Sequence, residues 1–281
     1  MPPKLLTFAF KSTKKMKKLF SLAAAAAALL LAGACTHEQQ MTTTTLENEG
    51  AVPLIEGMEM DEDAPCYSYS YNVEYITGGI NKDVMDKINA KIAACIIYDD
   101  EENPNPDVAG ALKAWETNGV EGYKAETEEL PEDFDLDEAW MYNWSSYISG
   151  SFSSSCDARN WQTYIFGGSD YMGGAHPFSY ASYYVFDMKT GEVVTEDDFL
   201  DIENESLWEL LYDRVLDGGC IDDEGLTSED LFELPTFNGN FSVDNDGVTW
   251  LYNPYEIAAY VYGPIEATIT WDELAPYLLN K

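Results

Sequence analysis

Residues 66–76 (CYSYSYNVEYI) alternate polar and apolar side chains, and a period of two predicts a half-buried strand. Gly78 and Gly79 break the run. Asn81 then stands where a helix N-cap belongs, ahead of Val84, Ile88, Ile92 and Cys95 at three- and four-residue spacing. Asn103-Pro104-Asn105-Pro106 closes that unit. A second helix is predicted over residues 108–117, with an acidic loop to residue 137. Two aromatic-polar runs, 140–153 and 161–166, predict a wide hairpin about residues 153–157. A strand at 179–187 leads to a tight turn at Lys189-Thr190-Gly191, a short strand at 192–195, and a turn capped by Thr195. An amphipathic helix is expected over 205–216, with Leu207, Leu210, Leu211, Val215 and Leu216 on its apolar face and Gly218-Gly219 as its stop. Strands at 241–243 and 248–252 flank Asp244-Asn245-Asp246-Gly247, a strong hairpin signal. A strand at 265–270 precedes a short helix at 272–278. The sum is an α+β fold, a mainly antiparallel sheet with a few amphipathic helices packed on it.

The N-terminal pattern is of another kind. Six lysines and no acid precede Ala34, and residues 19–34 (LFSLAAAAAALLLAGA) are too short and Ala-rich for a membrane span, which needs about 20 apolar residues. A basic segment, an apolar run and small residues before a cleavage point are the parts of an export signal. Leu31-Ala32-Gly33-Ala34-Cys35 resembles a bacterial lipobox, which implies lipid attachment at Cys35; the leucine stands one place further from the cysteine than is usual. Residues 1–34 are therefore expected to be removed, with Met16 a plausible start. Residues 35–65, with TTTT and few aromatics, are expected to form a flexible acidic tether. The folded part is divided provisionally into residues 66–175 and 176–281.

Charge narrows the function. The chain has 281 residues, 15 Lys and Arg against 51 Asp and Glu, and a formal charge of −36. Loss of residues 1–34 would leave nine cations against the same 51 acids. Such a surface excludes nucleic acid, whose recognition needs clustered Lys and Arg, and draws in cationic partners. Its 14% aromatic content argues against disorder. Four cysteines remain besides Cys35. An exported protein permits two disulfides, or one with two buried thiols, and the preferred pairing is Cys66 with Cys156 and Cys95 with Cys220. No CxxC pair is present and His176 is the sole histidine of the folded part, so no metal or cofactor is expected.

Three segments together carry a resemblance: Tyr171-Met172-Gly173-Gly174-Ala175-His176-Pro177; Tyr184-Val185-Phe186-Asp187-Met188-Lys189-Thr190-Gly191 with Asp197-Asp198-Phe199; and Asn253-Pro254-Tyr255-Glu256-Ile257-Ala258 with Gly263-Pro264-Ile265-Glu266. Their order and spacing, from Cys66 onward, are similar to the paired extracellular domains of RsiV-like anti-sigma factors. Similar domains occur as an accessory region of PdaC-type peptidoglycan deacetylases and in bacterial lipoproteins. The sigma-binding and deacetylase parts have no counterpart here. The resemblance therefore implies a binding role in the cell envelope, on a lipid-anchored protein of the outer membrane. Its ligand is expected to be a cationic lysozyme-like muramidase or peptidoglycan. An enzyme acting on envelope glycans through unidentified acids, or a scaffold of a surface complex, are the alternatives.

Candidate residues follow. Pro254, Tyr255, Glu256, Tyr260 and Tyr262, with His176, are the candidate ligand-binding residues, the 253–262 segment concentrating aromatic groups beside Pro and Gly, a composition suited to recognition; the competing view makes Tyr255 and Ile257 core residues. His176 could serve as a base toward Ser179 or Ser182, but GxSxG is absent, and a structural turn with the imidazole bonded to backbone is expected instead. Paired carboxylates carry no signal among 51 acids. The Asp244 segment lacks the flanking ligands of a calcium loop, since positions 242 and 253 are Ser and Asn.

Overall fold

The computed structural model describes residues 41–60, 64–98, 105–128, 130, 134, 136–218, 220–221 and 224–279. The elements in chain order are β1 (Thr42–Pro53), β2 (Cys66–Gly78), α1 (Lys82–Ile96), α2 (Val108–Glu128), β3 (Trp144–Cys156), β4 (Trp161–Tyr171), β5 (Phe178–Asp187), α3 (Glu205–Gly218), β6 (Cys220–Ile221), β7 (Glu224–Gly225), β8 (Phe241–Val243), β9 (Gly247–Tyr252), β10 (Ile265–Thr270) and α4 (Trp271–Leu274). The expected α+β architecture is what forms.

β1 to β5 make one five-stranded sheet in sequence order. Every neighbouring pair is antiparallel except β2 and β3. Parallel neighbours need a long crossover, and α1 and α2 supply it. Asn81 caps α1 as expected, its carboxamide oxygen accepting from the Asp83 and Val84 amides. Val84, Ile88 and Ile92 then meet Leu112 and Trp115 of α2 over Val73, Ile148, Tyr164 and Phe166 of the sheet. Alternate residues on β4 and β5 face the other way, so Trp161 and Val185 join a second core. That core is built by β8, β9, β10 and α3, through Trp250, Ile265, Ala267, Ile269, Leu207, Leu211 and Val215. The division expected at residues 175 and 176 falls in the β4–β5 turn, so the five-stranded sheet runs across it.

Side-chain amides join these two halves. β5 is the last strand of its sheet, and an open edge leaves backbone groups unpaired. Asn240 accepts from the Tyr183 amide at 2.7 Å and donates to the Ala181 carbonyl at 3.1 Å. Asn253 accepts from the Ala181 amide at 2.8 Å and donates to the same carbonyl at 3.0 Å. Buried Thr163 adds a reciprocal pair with the backbone of Val243. The Arg159 guanidinium lies 4.9 Å from the Trp161 ring and 4.6 Å from Trp271, one aromatic from each half. Asn89 of α1 repeats the amide device, bonding both the N–H and the C=O of Ile76 beyond the point where β3 leaves β2.

Several expectations change. Residues 42–53 are not a flexible tether. They are β1, in continuous register with β2 down to Pro53 opposite Cys66. α2 does not stop at residue 117 but runs to Glu128: packing of Trp115 and Tyr123 holds it through Gly119 and Gly122. Residues 192–195 contribute a single bridge, Val193 to Phe186, not a strand. Helix at 272–278 is one α-turn followed by a 3-10 turn at Ala275–Tyr277. The Asp244 hairpin forms as expected; the Asp244 carboxylate accepts from the amides of Asp246 and Gly247 and so shapes the turn.

The preferred disulfide Cys66–Cys156 does not form. Cys66 opens β2 beside Trp144 at the start of the parallel β3, whereas Cys156 ends β3. That is about 40 Å at ~3.3 Å per residue, against the ~6 Å a disulfide spans. Cys66, Cys95 and Cys156 are free thiols, and burial pushes those of Cys66 and Cys95 above the usual thiol range. Because Cys95 is free, the expected Cys95–Cys220 disulfide does not form either; the Cys220 side chain and Cys35 lie outside the described residues.

Two outcomes follow from this construction. Asn253→Ala and Asn240→Ala should each lower unfolding free energy by about 1–3 kcal/mol, the cost of an unpaired, partly buried amide; denaturant titration reads it, and Asn→Asp should not restore the loss. The second concerns alkaline pH. Tyr123, Tyr164 and Tyr252 donate to backbone carbonyls at 2.8–2.9 Å, and burial raises all three phenols far above normal. Burial, then the Glu266 carboxylate, pushes Tyr183 up to about 12. A raised folded pKa gives stability that is whole below the unfolded value of about 10 and lost as pH climbs toward the folded one. Stability should thus fall steeply above pH ~10, with the last fraction of tyrosinate absorbance, that of the buried phenols, appearing together with loss of near-ultraviolet circular dichroism; ionisation of every tyrosine in folded protein near pH ~10 would contradict it.

Candidate functional site

Two surfaces gather aromatic groups, and the β4–β5 turn contributes to both, His176 to one and Met172 to the other. The first contains residues singled out from the sequence. Asn253, Pro254, Tyr255 and Glu256 form a turn closed by the Glu256 amide on the Asn253 carbonyl at 3.0 Å. The Glu256 carboxylate accepts from the Asn253 amide at 2.8 Å and from the Asn238 side chain at 2.7 Å. This locked turn holds Tyr255 at φ +71°, a region that costs a non-glycine residue about 1–3 kcal/mol. The ring it presents is 52% exposed. Tyr255 is not a core residue, whereas Ile257 beside it is buried.

His176 and Tyr260 complete a stack. Their rings lie 4.0 Å apart at 16°, and Tyr255 is 5.4 Å from Tyr260 and 6.4 Å from His176. The imidazole Nδ1 lies 3.1 Å from the Pro177 carbonyl, the backbone bond expected of it, and Nε2 lies 3.5 Å from the Tyr255 hydroxyl. The tautomer with a proton on Nδ1 satisfies both contacts. Tyr260 donates to the same Pro177 carbonyl at 3.3 Å. The imidazole contacts neither serine weighed as its partner: Ser179 bonds Ser169 at 3.0 Å, and Ser182 faces the opposite side of β5. His176, Tyr255 and Tyr260 therefore share a platform. Pro254 and Glu256 support it from the turn. Tyr262 does not take part: it packs on the C-terminal core and hydrogen-bonds Asp230, which with the Thr227 hydroxyl holds that carboxyl below the usual range.

The second surface was missed in the sequence. Of two adjoining clefts, one of about 450 Å³ opens between α1 and the strands β4 and β5, and one of about 360 Å³ between α2, the end of α1 and the starts of β2 and β3. Tyr98 and Asp170 line both. Tyr98 follows the last turn of α1 in the left-handed position that usually takes glycine, at φ +52° and 58% exposed. Its hydroxyl lies 2.7 Å from that of Tyr180. Burial, followed by that hydrogen bond, keeps the Tyr180 phenol protonated well into alkali. On the other wall, Gly119 lets the Tyr67 ring lie against α2, since a Cβ there would stand 2.3 Å from the Tyr67 hydroxyl. Glycines within a helical stretch were the available signal for this close approach.

Three described non-glycine residues have positive φ: Tyr98, Asn160 and Tyr255. Asn160 sits in the β3–β4 hairpin, where asparagine tolerates the conformation. The two tyrosines have no such excuse, and each fronts one aromatic surface. Among the described residues, no His, Cys, Asp and Glu converge into a metal-binding group.

Comparison with known proteins supplies a family for part of the chain. Residues 220–272, which include the Asn253 turn and Tyr260, match the model of DUF3298, described as a protein of unknown function. No curated protein matches. A crystal structure of a DUF3298 family member from Bacteroides fragilis superposes with a TM-score of 0.70 at 20% identity, covering 85% of this chain and 94% of that one. A DUF3298 family protein from Pseudomonas aeruginosa superposes with a TM-score of 0.56 at 15% identity, covering 86% and 95%. At these identities the likeness is one of fold. A segment of the C-terminal half thus matches DUF3298, and the fold is one that the chain shares with solved DUF3298 proteins.

Proposed function

We propose that this chain is a non-catalytic, lipid-anchored protein of the cell envelope that binds a cationic protein, a lysozyme-like muramidase being the candidate ligand. The observation that carries the reading is the platform of His176, Tyr255 and Tyr260, held open to solvent by a strained backbone at Tyr255. Strain retained at an exposed aromatic residue points to a role outside folding. Tyrosine in a rigid turn offers large contact area at small entropic cost, and aromatic faces attract Arg and Lys side chains by about 0.5–2 kcal/mol each. A formal charge of −36 steers such a partner toward the surface. The resemblance to RsiV-like ectodomains supplies the ligand class, and the lipobox-like segment ending at Cys35 supplies the anchor.

The test is retention of a cationic lysozyme by the immobilised mature protein across a salt series, with cytochrome c as a control of similar charge. Lysozyme should be held more tightly than the control and should survive salt that releases it. Tyr255→Ala with Tyr260→Ala should weaken binding at least about tenfold, as truncation of interface hot spots does, without altering the circular dichroism. Equal retention of both cationic proteins, or undiminished binding by the double variant, would remove this ligand.

A further inference from the structure

The clefts beneath α1 form a second site, independent of the platform and of its protein ligand. They share Tyr98 and Asp170, so an occupant of either meets the same ring and the same carboxylate. The walls are aromatic on both sides of Tyr98. Phe178, Tyr180 and Tyr184 line one cleft; Trp115, Tyr123 and Trp144 line the other. Each volume falls within the roughly 300–1,000 Å³ of small-ligand sites. Asp170 is half-buried, and among the described residues no donor hydrogen-bonds its side chain.

The chemistry of the lining excludes most occupants. A phosphorylated ligand would face a chain of charge −36 with a single ammonium nearby, Lys91, already 4.8 Å from the Tyr184 ring centroid. An acyl chain would cover Asp170 without offering it a donor, and a buried carboxylate left unpaired is costly. Among uncharged occupants, what fits is a molecule with apolar faces for the rings and hydroxyl edges for the carboxylate. A pyranose has both, its axial C–H groups forming the face and its equatorial hydroxyls the rim. Two clefts meeting at one tyrosine match two linked rings. The geometry points to an oligosaccharide site: one uncharged sugar ring in each cleft, Tyr98 at their junction, and Asp170 accepting hydroxyl hydrogen bonds from both.

The glycines of α2 allow a selective block. Gly122 lines the second cleft, and a Cβ there would meet no atom within 4 Å, so a side chain at this position occupies open space at the cleft without disturbing the core.

The experiment is a titration of the purified chain with cellobiose, with the N-acetylglucosamine disaccharide and with glucose, read by tryptophan emission from Trp115 and Trp144 and by calorimetry. At least one disaccharide should bind saturably and about tenfold or more tighter than glucose. Asp170→Asn should weaken it about tenfold, the worth of a hydrogen bond to a charged group. Gly122→Leu should reduce disaccharide affinity to that of glucose; because this side chain enters open space, it remains informative should Asp170→Asn fail to fold. Tyr255→Ala should leave the titration unchanged, which separates this site from the lysozyme platform. Absence of saturable binding by either disaccharide, or binding undiminished in Gly122→Leu, would overturn the proposal. So would tighter binding of a lysine dipeptide than of both sugars, which would mark Asp170 as a cation subsite.

Discussion

The architecture rests on the way the last strand of the five-stranded sheet is closed. β5 has no further strand to pair with, yet Ala181 and Tyr183 are satisfied by the carboxamides of Asn240 and Asn253. A carboxamide has the donor and acceptor of a peptide group in nearly the same geometry. Two asparagines thus stand in for a neighbouring strand without the twist and register that a real one would impose. This frees the C-terminal half to pack its own three-stranded sheet across the face of β4 and β5, where Trp161 and Val185 enter its core. The same asparagine begins the turn that carries Tyr255. Closure of the sheet and presentation of the platform are therefore one construction.

How much of this could be read from the chain varies with the physics of each element. Elements that bury one face declare themselves, which is why β2, α1, β5, α3, β9 and β10 lie close to their expected bounds. β1 does not: TTTTLENEGAVP has few apolar residues, and its order comes from backbone pairing with β2, which carries no side-chain signature. α2 outruns its sequence signals because Thr117-Asn118-Gly119 reads as a stop when packing is ignored. The disulfide expectation failed for want of topology, since nothing local announces that β2 and β3 run parallel.

The candidate site was legible in the same uneven way. His176, Tyr255 and Tyr260 stood out by residue type and by family resemblance, and the fold stacks them across 84 positions of the chain. Glu256 and Tyr262 belonged to the same candidate segment, but the Glu256 carboxylate is bound within the turn and Tyr262 packs on the core. The clefts drew no attention because their walls come from α1, α2 and four strands, residues scattered along the chain that only the fold brings together. The glycines of α2 are the one local signal, and the left-handed backbone at Tyr98, invisible in sequence, marks the place.

Under the lipid-anchored reading proposed above, the pairing of β1 with β2 has a consequence for geometry at a membrane. Seven steps of chain separate Cys35 from Thr42, and a fully extended chain advances at most ~3.6 Å per residue. With a diacylglycerol on Cys35, the sheet margin could stand no further than about 25 Å from the headgroups. That is a short leash, less than the width of a small domain, so a bulky partner would have to approach from the side or from above rather than pass beneath.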